Sequence, residues 1–370
     1  MKALIFFIRI ITGALFIFSG LVKAIDPLGL AYKMEEFFEA FASEGWMPRL
    51  MNKLNHYALS FSIAMITLEV VLGVALLIGF RKKITSILLL LLMILFTFLT
   101  SYVLFSGKIR ACGCFGDCIP LTPMQTFSKD IILLIFTILL LIYQKYIHPI
   151  HKPLVIGGTI ILTLLGTLFL QWYVLKHLPL ADCLPFKKGN NIIELRKMPP
   201  NAIQDKFDYV FVYSKDGQSK DFKADSLPDD SWEFVDRVQK LIQKGSNNIP
   251  IINDFHLTDA DGNDVTEKIM VSKNGYYMLY LRDIPSGSPK WVNEFKKWKK
   301  EAKQPVYLVV TRYDEAVKFG AANNLTFSGV LTLDATALKT ACRAAATLYK
   351  MEGPIIKEKW SWADIGKATY

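Results

Sequence analysis

Long apolar runs dominate the first half of the chain and disappear from the second. Stretches at about Leu4 to Leu21, Ala58 to Phe80, Ile84 to Phe105, Ile131 to Tyr146 and Leu154 to Tyr173 carry almost no charge. Roughly 20 such residues are needed for a helix to cross about 30 Å of hydrocarbon. Five transmembrane helices are therefore expected, the fourth being the shortest. The first starts beside basic residues like a leader peptide. It runs into Lys23 and Asp26 with no small-residue cleavage signature, so it reads as a retained helix.

After Tyr173 the pattern shortens to strands and turns. Tyr209 to Tyr213 alternates, Asp216-Gly217 is a turn signal and Phe222 resumes an extended stretch, which predicts a hairpin. Ser231 followed by Trp232, Phe234, Val238 and Leu241, with Gly245 beyond, predicts a capped amphipathic helix. From about Ile251, strands are expected at Tyr276 to Leu281, Val306 to Val310, Gly329 to Leu333, Ala346 to Tyr349 and Ile355 to Lys359. A helix carrying Trp291, Phe295 and Trp298 follows the first of them. Strand-helix alternation that closes on an antiparallel pair argues for an α/β sheet covered on both faces. The expected fold class is thus a multi-pass α-helical membrane bundle followed by a soluble α/β domain. The divisions fall at 1–150 for the bundle, 151–176 for the fifth helix, 177–248 for a linker and α+β insert, and 249–370 for the final domain.

Charge adds orientation to this picture. The net charge of +10 could suggest nucleic acid, but the basic residues are dispersed and no nucleic-acid motif accompanies them, so that partner is excluded. Arg81 to Lys83 and Lys145 to Lys152 sit in short loops between apolar runs. With Lys2 and Arg9, they fall on one side if five spans alternate. That side should be the cytoplasm. The loop from Asp26 to His56, the loop from Ser106 to Lys129 and everything after Tyr173 then face the periplasm, in a bacterial inner membrane. In the first loop, Tyr32, Phe37, Phe38 and Phe41 recur at helical spacing. They form a helix lying in the membrane interface or packed on the top of the bundle.

Cysteine usage supplies the chemistry. Cys112, Cys114 and Cys118 lie within seven residues beyond the third span, and Cys183 follows the fifth on the same side. The C-x-C-x3-C spacing lacks a nearby histidine and suits a metal poorly. Two readings stay open: a reducible pair at Cys112 and Cys114, or a plain staple joining Cys118 to Cys183. A linker of about ten residues after the last span keeps Cys183 within reach of that loop, at about 3.3–3.6 Å per residue. Glu69, near the middle of its span, is either part of a quinone or proton site or an interhelical hydrogen-bonding group. Lys23 and Asp130, at outer helix ends, are candidates for ion pairing with such buried polar groups. Cys342 reads as a buried small hydrophobe. Asp259-x-Asp261-x-Asn263 lacks the glycine and bidentate glutamate of a calcium loop and reads as a turn.

At these residues a family resemblance emerges. Cys112-Gly113-Cys114-Phe115-Gly116, with Lys129-Asp130 at the head of the next span, resembles the MauE branch of the DoxX family. Ser19-Gly20-Leu21, Lys23 and Asp26-Pro27-x-Gly29 resemble its opening motif, and Glu69, Gly73 and Gly79 fit too. The resemblance covers about residues 1–150. It implies a four-helix membrane bundle and an association with disulfide chemistry or maturation of exported proteins. DoxX relatives are also linked to quinone-dependent oxidation, which makes a quinone the cofactor the resemblance would imply. Residues 249–365 resemble thioredoxin-like proteins of the thiol reductase and peroxiredoxin type, through Asp254-Phe255-x-Leu257-x-Asp259-x-Asp261-Gly262 and Gly353-Pro354-Ile355-Ile356-x-x-Lys359-Trp360. The departures matter: Asp283 to Ser288 stands where the CxxC would be, and Ala344 to Ala346 where the cis-proline would be. Without a thiolate at a helix start that domain has no activated nucleophile.

The sequence therefore predicts a redox-associated membrane protein in which Cys112 and Cys114 handle disulfides or electrons for exported proteins. Its rival is a non-catalytic scaffold, embedded in the bilayer, whose degenerate thioredoxin-like domain binds exported or envelope proteins.

Overall fold

The computed structural model describes residues 1–110, 112–150, 152–243, 245–272, 275–285 and 289–369. Its first half is helical: α1 (Lys2–Ala24), α2 (Pro27–Ser43), α3 (Pro48–His56), α4 (Ala58–Ile78), α5 (Lys82–Ser106), α6 (Pro123–Ile142) and α7 (Pro153–Lys176). Among the described residues, α1, α4, α5, α6 and α7 are long and apolar enough to cross a membrane, so this is a multi-pass membrane protein. Leu4, Phe7, Leu91, Ile132 and Phe169 face outward, as lipid-facing side chains must. The fourth span starts earlier than its apolar run suggests. Thr122 and Gln125 form a reciprocal capping box and Pro123 takes the first turn, which nucleates α6 while its sequence is still polar.

Small residues set the tightest helix contact. A Cβ on Gly73 of α4 would lie 2.9 Å from the Gly13 carbonyl oxygen of α1, so the two backbones meet where only glycine fits. α2 packs on the bundle. Met34, Phe37, Phe38 and Phe41 are buried against the bundle, where Phe41 meets Tyr102 edge-on at 4.8 Å.

The second half begins with α8 (Ile192–Leu195) and an antiparallel sheet of β1 (Lys206–Lys215), β2 (Gln218–Lys223) and β3 (Glu233–Gln243), ordered β2-β1-β3 with β1 in the middle. The β1–β2 hairpin turns at Asp216 and Gly217, both at positive φ. The helix expected from Trp232 to Leu241 does not form. That segment is β3, antiparallel to β1 with Val210 opposite Val238. Its apolar spacing fits either period, and the waiting backbone edge of β1 decides between them.

The rest is an α/β domain of α9 (Thr266–Met270), β4 (Gly275–Leu281), α10 (Lys290–Glu301), β5 (Val306–Val310), α11 (Tyr313–Ala322), β6 (Gly329–Thr332), α12 (Ala335–Ala341), β7 (Ala346–Glu352) and β8 (Ile355–Ser361). The sheet runs β6-β5-β4-β7-β8, parallel through β4, β5 and β6 and antiparallel at β7 and β8. Successive residues of β4 feed opposite cores, as a period of two requires. Tyr276, Met278 and Tyr280 pack toward α12, while Tyr277, Leu279 and Leu281 pack toward α10 and α11. Phe186 and Ile192 complete the first of these cores, so the chain joins this domain well before residue 249. At the Asp259 turn the carboxylate accepts from the amides of Asp261 and Asn263.

Candidate functional site

The cysteine loop folds back into the outer mouth of the bundle. Gly113 and Gly116 sit at positive φ, and the Gly116 amide donates to the Gly113 carbonyl at 2.9 Å, closing a tight turn. Ser19 of α1 donates its hydroxyl to the Cys114 carbonyl at 2.9 Å, fixing the turn to the first span. Cys112 and Cys114 are both buried free thiols.

Their surroundings are unequal. A hydrogen bond to Cys114, with burial added, pushes the Cys112 thiol up. The same hydrogen bond, helped by the nearby Lys129 ammonium, draws Cys114 down despite its burial. Cys114 is therefore the better placed of the two to lose its proton, although burial and the Asp130 carboxylate, to which its thiol donates, oppose the anion. Asp130, fully buried at the head of α6, lies 3.9 Å from the Cys114 sulfur and pairs with Lys129. The Lys129 ammonium sits 5.2 Å from the centre of the Phe115 ring.

Below this lies a second charged pair. Lys23 and Glu69 meet at 2.6 Å, both almost fully buried, and the ammonium rests 4.8 Å from the Phe96 ring. This bond joins α1 to α4. Buried unlike charges persist in a bilayer only when so paired. A small cavity of about 20 Å³, room for about one water, lies between the two pairs, walled by Phe16, Met93, Phe96 and Phe115 and reaching Cys114. That space is far smaller than a quinone ring, so these residues do not form a quinone site as they stand.

Cys118 and Cys183 are bonded to each other, tying the loop to the segment after α7. Around that tie the α/β domain rests on the bundle. Arg343, 7% exposed in the turn between α12 and β7, contacts Asp26 at 3.1 Å and Asp117 at 2.9 Å, and covers the Tyr32 ring at 5.1 Å. Lys339 pairs with Glu35, Arg282 reaches the Tyr32 hydroxyl at 3.4 Å, and His177 meets Asp364 at 2.8 Å. Arg282 and Arg343 were not anticipated from sequence. Only the folded sheet brings the ends of β4 and α12 together and aims both at α2. Asp283 to Pro285 continue from this face; Ser286 to Ser288, the rest of the expected degenerate redox loop, lie outside the described residues. Cys342 is fully buried and donates to the Ala344 carbonyl at 3.1 Å, with burial pushing its thiol up.

Comparison with known proteins matches the geometry in part. Residues 1–143 match the family described as methylamine utilisation protein MauE. Residues 207–244 match a family described only as a domain of unknown function. Protein TlpB of Flavobacterium psychrophilum is 26% identical over 227 residues, which is 60% of this chain and 55% of that protein. The chain thus spans about half the length of the curated relative it matches. No solved structure matches the chain.

Proposed function

We propose that this protein is a redox-associated membrane protein whose Cys112 and Cys114 exchange disulfides or electrons on behalf of exported proteins, at the periplasmic face of a bacterial inner membrane. One observation carries the reading: two adjacent thiols, buried at the mouth of a membrane bundle, with one drawn toward thiolate and the other held as thiol. A structural pair would need neither the asymmetry nor the neighbouring Lys129.

Within this reading Cys114 is the attacking or departing sulfur, and Cys112 supplies or takes the proton between them. Lys129 favours the anion, Asp130 holds Lys129 in place, and Ser19 fixes the backbone that presents the pair. The Lys23–Glu69 pair keeps α1 and α4 in register beneath. The space between the two charged pairs, lined by Phe16, Phe96 and Phe115 and by both Glu69 and Asp130, holds about one water, so no quinone step is derived through it. The basic loops support this orientation, since Arg9, Arg81 to Lys83, Lys145 and Lys152 fall on the side of the five alternating spans opposite the cysteines.

The mixed sheet, with β4 central and β7 and β8 antiparallel, supports reading the last domain as thioredoxin-like. Its lost CxxC and the use of that face against α2 favour a second, non-catalytic role as a partner-binding scaffold. Replacing Cys112 and Cys114 by serine tests the first reading. The thiol redox state of exported proteins should shift toward free thiols or mispaired disulfides, and an unchanged state refutes it. Purification of the same variant in mild detergent tests the second reading, which expects retained partners; a strictly monomeric protein counts against it.

A further inference from the structure

The four outer-face cysteines form two pairs that differ in access. Cys112 and Cys114 are buried, Cys118 is half-buried, and Cys183 is exposed. Two clefts meet at the Cys118–Cys183 bond. One, a narrow crevice of about 20 Å³, is lined by Gly113 and Gly116 of the buried pair's turn and by both bonded cysteines. The other, of about 450 Å³, opens between the bundle and the α/β domain, with Tyr32, Glu36, Asp117, Lys339, Arg343 and Cys183 among its lining residues. Cys183 lines both clefts, whereas Cys118 lines only the inner one.

We infer that Cys118–Cys183 is a second redox pair, with Cys183 the docking sulfur for an extended polypeptide dithiol in the open cleft and Cys118 the link to Cys112 and Cys114. The inference rests on the reading of Cys112 and Cys114 as a redox pair. A staple could be placed anywhere along the loop. This one puts its exposed sulfur at the floor of a cleft wide enough for a chain segment, and its inner sulfur four residues from Cys114. That separation is at most about 14 Å, at about 3.3–3.6 Å per residue, and the Gly113–Gly116 turn shortens it.

The exchange balances as follows. A polypeptide thiolate attacks the Cys183 sulfur; the new disulfide forms as the Cys118–Cys183 bond breaks and Cys118 leaves as thiolate. The second polypeptide thiolate attacks the polypeptide sulfur of that mixed disulfide, so the polypeptide departs oxidised and Cys183 is released as thiolate. With the buried pair in its disulfide form, the Cys118 thiolate attacks Cys112 and Cys114 leaves as thiolate. Cys183 then attacks Cys118, restoring the outer bond and releasing Cys112, which takes a proton. Two electrons have passed from the polypeptide dithiol to the buried pair. Cys114 suits the leaving role because its thiolate is the favoured one.

The test uses the full chain in lipid nanodiscs, with both pairs oxidised beforehand and excess oxidant removed. The probe is a synthetic peptide carrying two reduced cysteines, followed by acid quench, alkylation and peptide mapping. In the unmodified protein the first trapped adduct should be on Cys183, and Cys112 and Cys114 should then become reduced as the peptide is recovered oxidised. In the Cys118→Ser, Cys183→Ser double variant the peptide should reduce the buried pair about tenfold more slowly or worse, while a small phosphine still reduces it at the parent rate. A first adduct on Cys112, Cys114 or Cys118, or equal peptide rates with and without the outer pair, overturns the relay alone. A Cys112–Cys114 pair that neither peptide nor phosphine can reduce in the parent overturns the underlying redox reading as well.

Discussion

Replacing Arg343 by methionine should loosen the seat of the α/β domain on the bundle, in a way that depends on pH. Methionine keeps much of the apolar stem over Tyr32 but removes the charge that faces Asp26 and Asp117. The Asp117 arm is 40% exposed and should contribute only about 0–1 kcal/mol. Asp26, 18% exposed, is the larger loss: orphaning one member of a buried pair costs about 3–5 kcal/mol. Taking about 3 kcal/mol, the population of the undocked state should rise about a hundredfold, at 1.4 kcal/mol per tenfold. Burial already raises the Asp26 carboxyl, and Arg343 is the main group opposing that rise. Without Arg343 the raised titration moves higher. A carboxyl held up in the docked state favours docking when protonated, so docking should be weakest at neutral pH and recover as the pH falls through that titration. Wild type should need a lower pH to show the same gain. Hydrogen exchange over segments 26–36 and 335–345 in nanodiscs reads the opening. An Asp26→Asn, Arg343→Met double variant should regain most of the protection at neutral pH. The reasoning fails if the single variant exchanges like wild type at neutral pH, or if its loss is independent of pH.

Three further outcomes follow from the site. Cys114 should alkylate at lower pH than an ordinary thiol and Cys112 only at higher pH; Lys129→Gln should raise the Cys114 midpoint, and Cys112→Ser should raise it less than Cys112→Ala because a hydroxyl can still donate. Pulsed alkylation with mass mapping measures this, and equal midpoints at the two cysteines would contradict the asymmetry. Glu69→Gln should destabilise the bundle by about 3–5 kcal/mol by stranding the Lys23 ammonium, and a Lys23→Met, Glu69→Leu pair should recover most of that in denaturant titration in detergent; a single variant as stable as the parent refutes the buried bond. In reduced cells with a permeable outer envelope, a membrane-impermeant maleimide should label exposed Cys183, and labelling that requires lysis of the inner membrane would reverse the proposed orientation.

Apolar length and residue-level periodicity are local properties, so they were legible without a fold. Five spans, the turn at Asp216-Gly217, and the β4-α10-β5 succession through to β8 all follow from them, because water or lipid selects those faces wherever the segment ends up. That Cys112 and Cys114 share one site was legible for the same reason: the residues lie in one short loop. What the sequence left open was every decision made between distant segments. Phe234, Val238 and Leu241 suit a helix or a strand, and pairing with β1 settled the matter. Glu69 could have faced a cavity or a partner, and the close glycine contact of α1 and α4 carries Lys23 to it. Lys129 is Asp130's neighbour in sequence, yet only the fold-back of the cysteine loop brings both to the Cys114 sulfur. Arg343 looked like one more dispersed basic residue until β4, α12 and α2 converged around it. Ion pairs and thiol environments of this kind depend on separations of a few ångströms between residues tens or hundreds apart in sequence. No local pattern encodes such distances; close packing of the folded chain sets them.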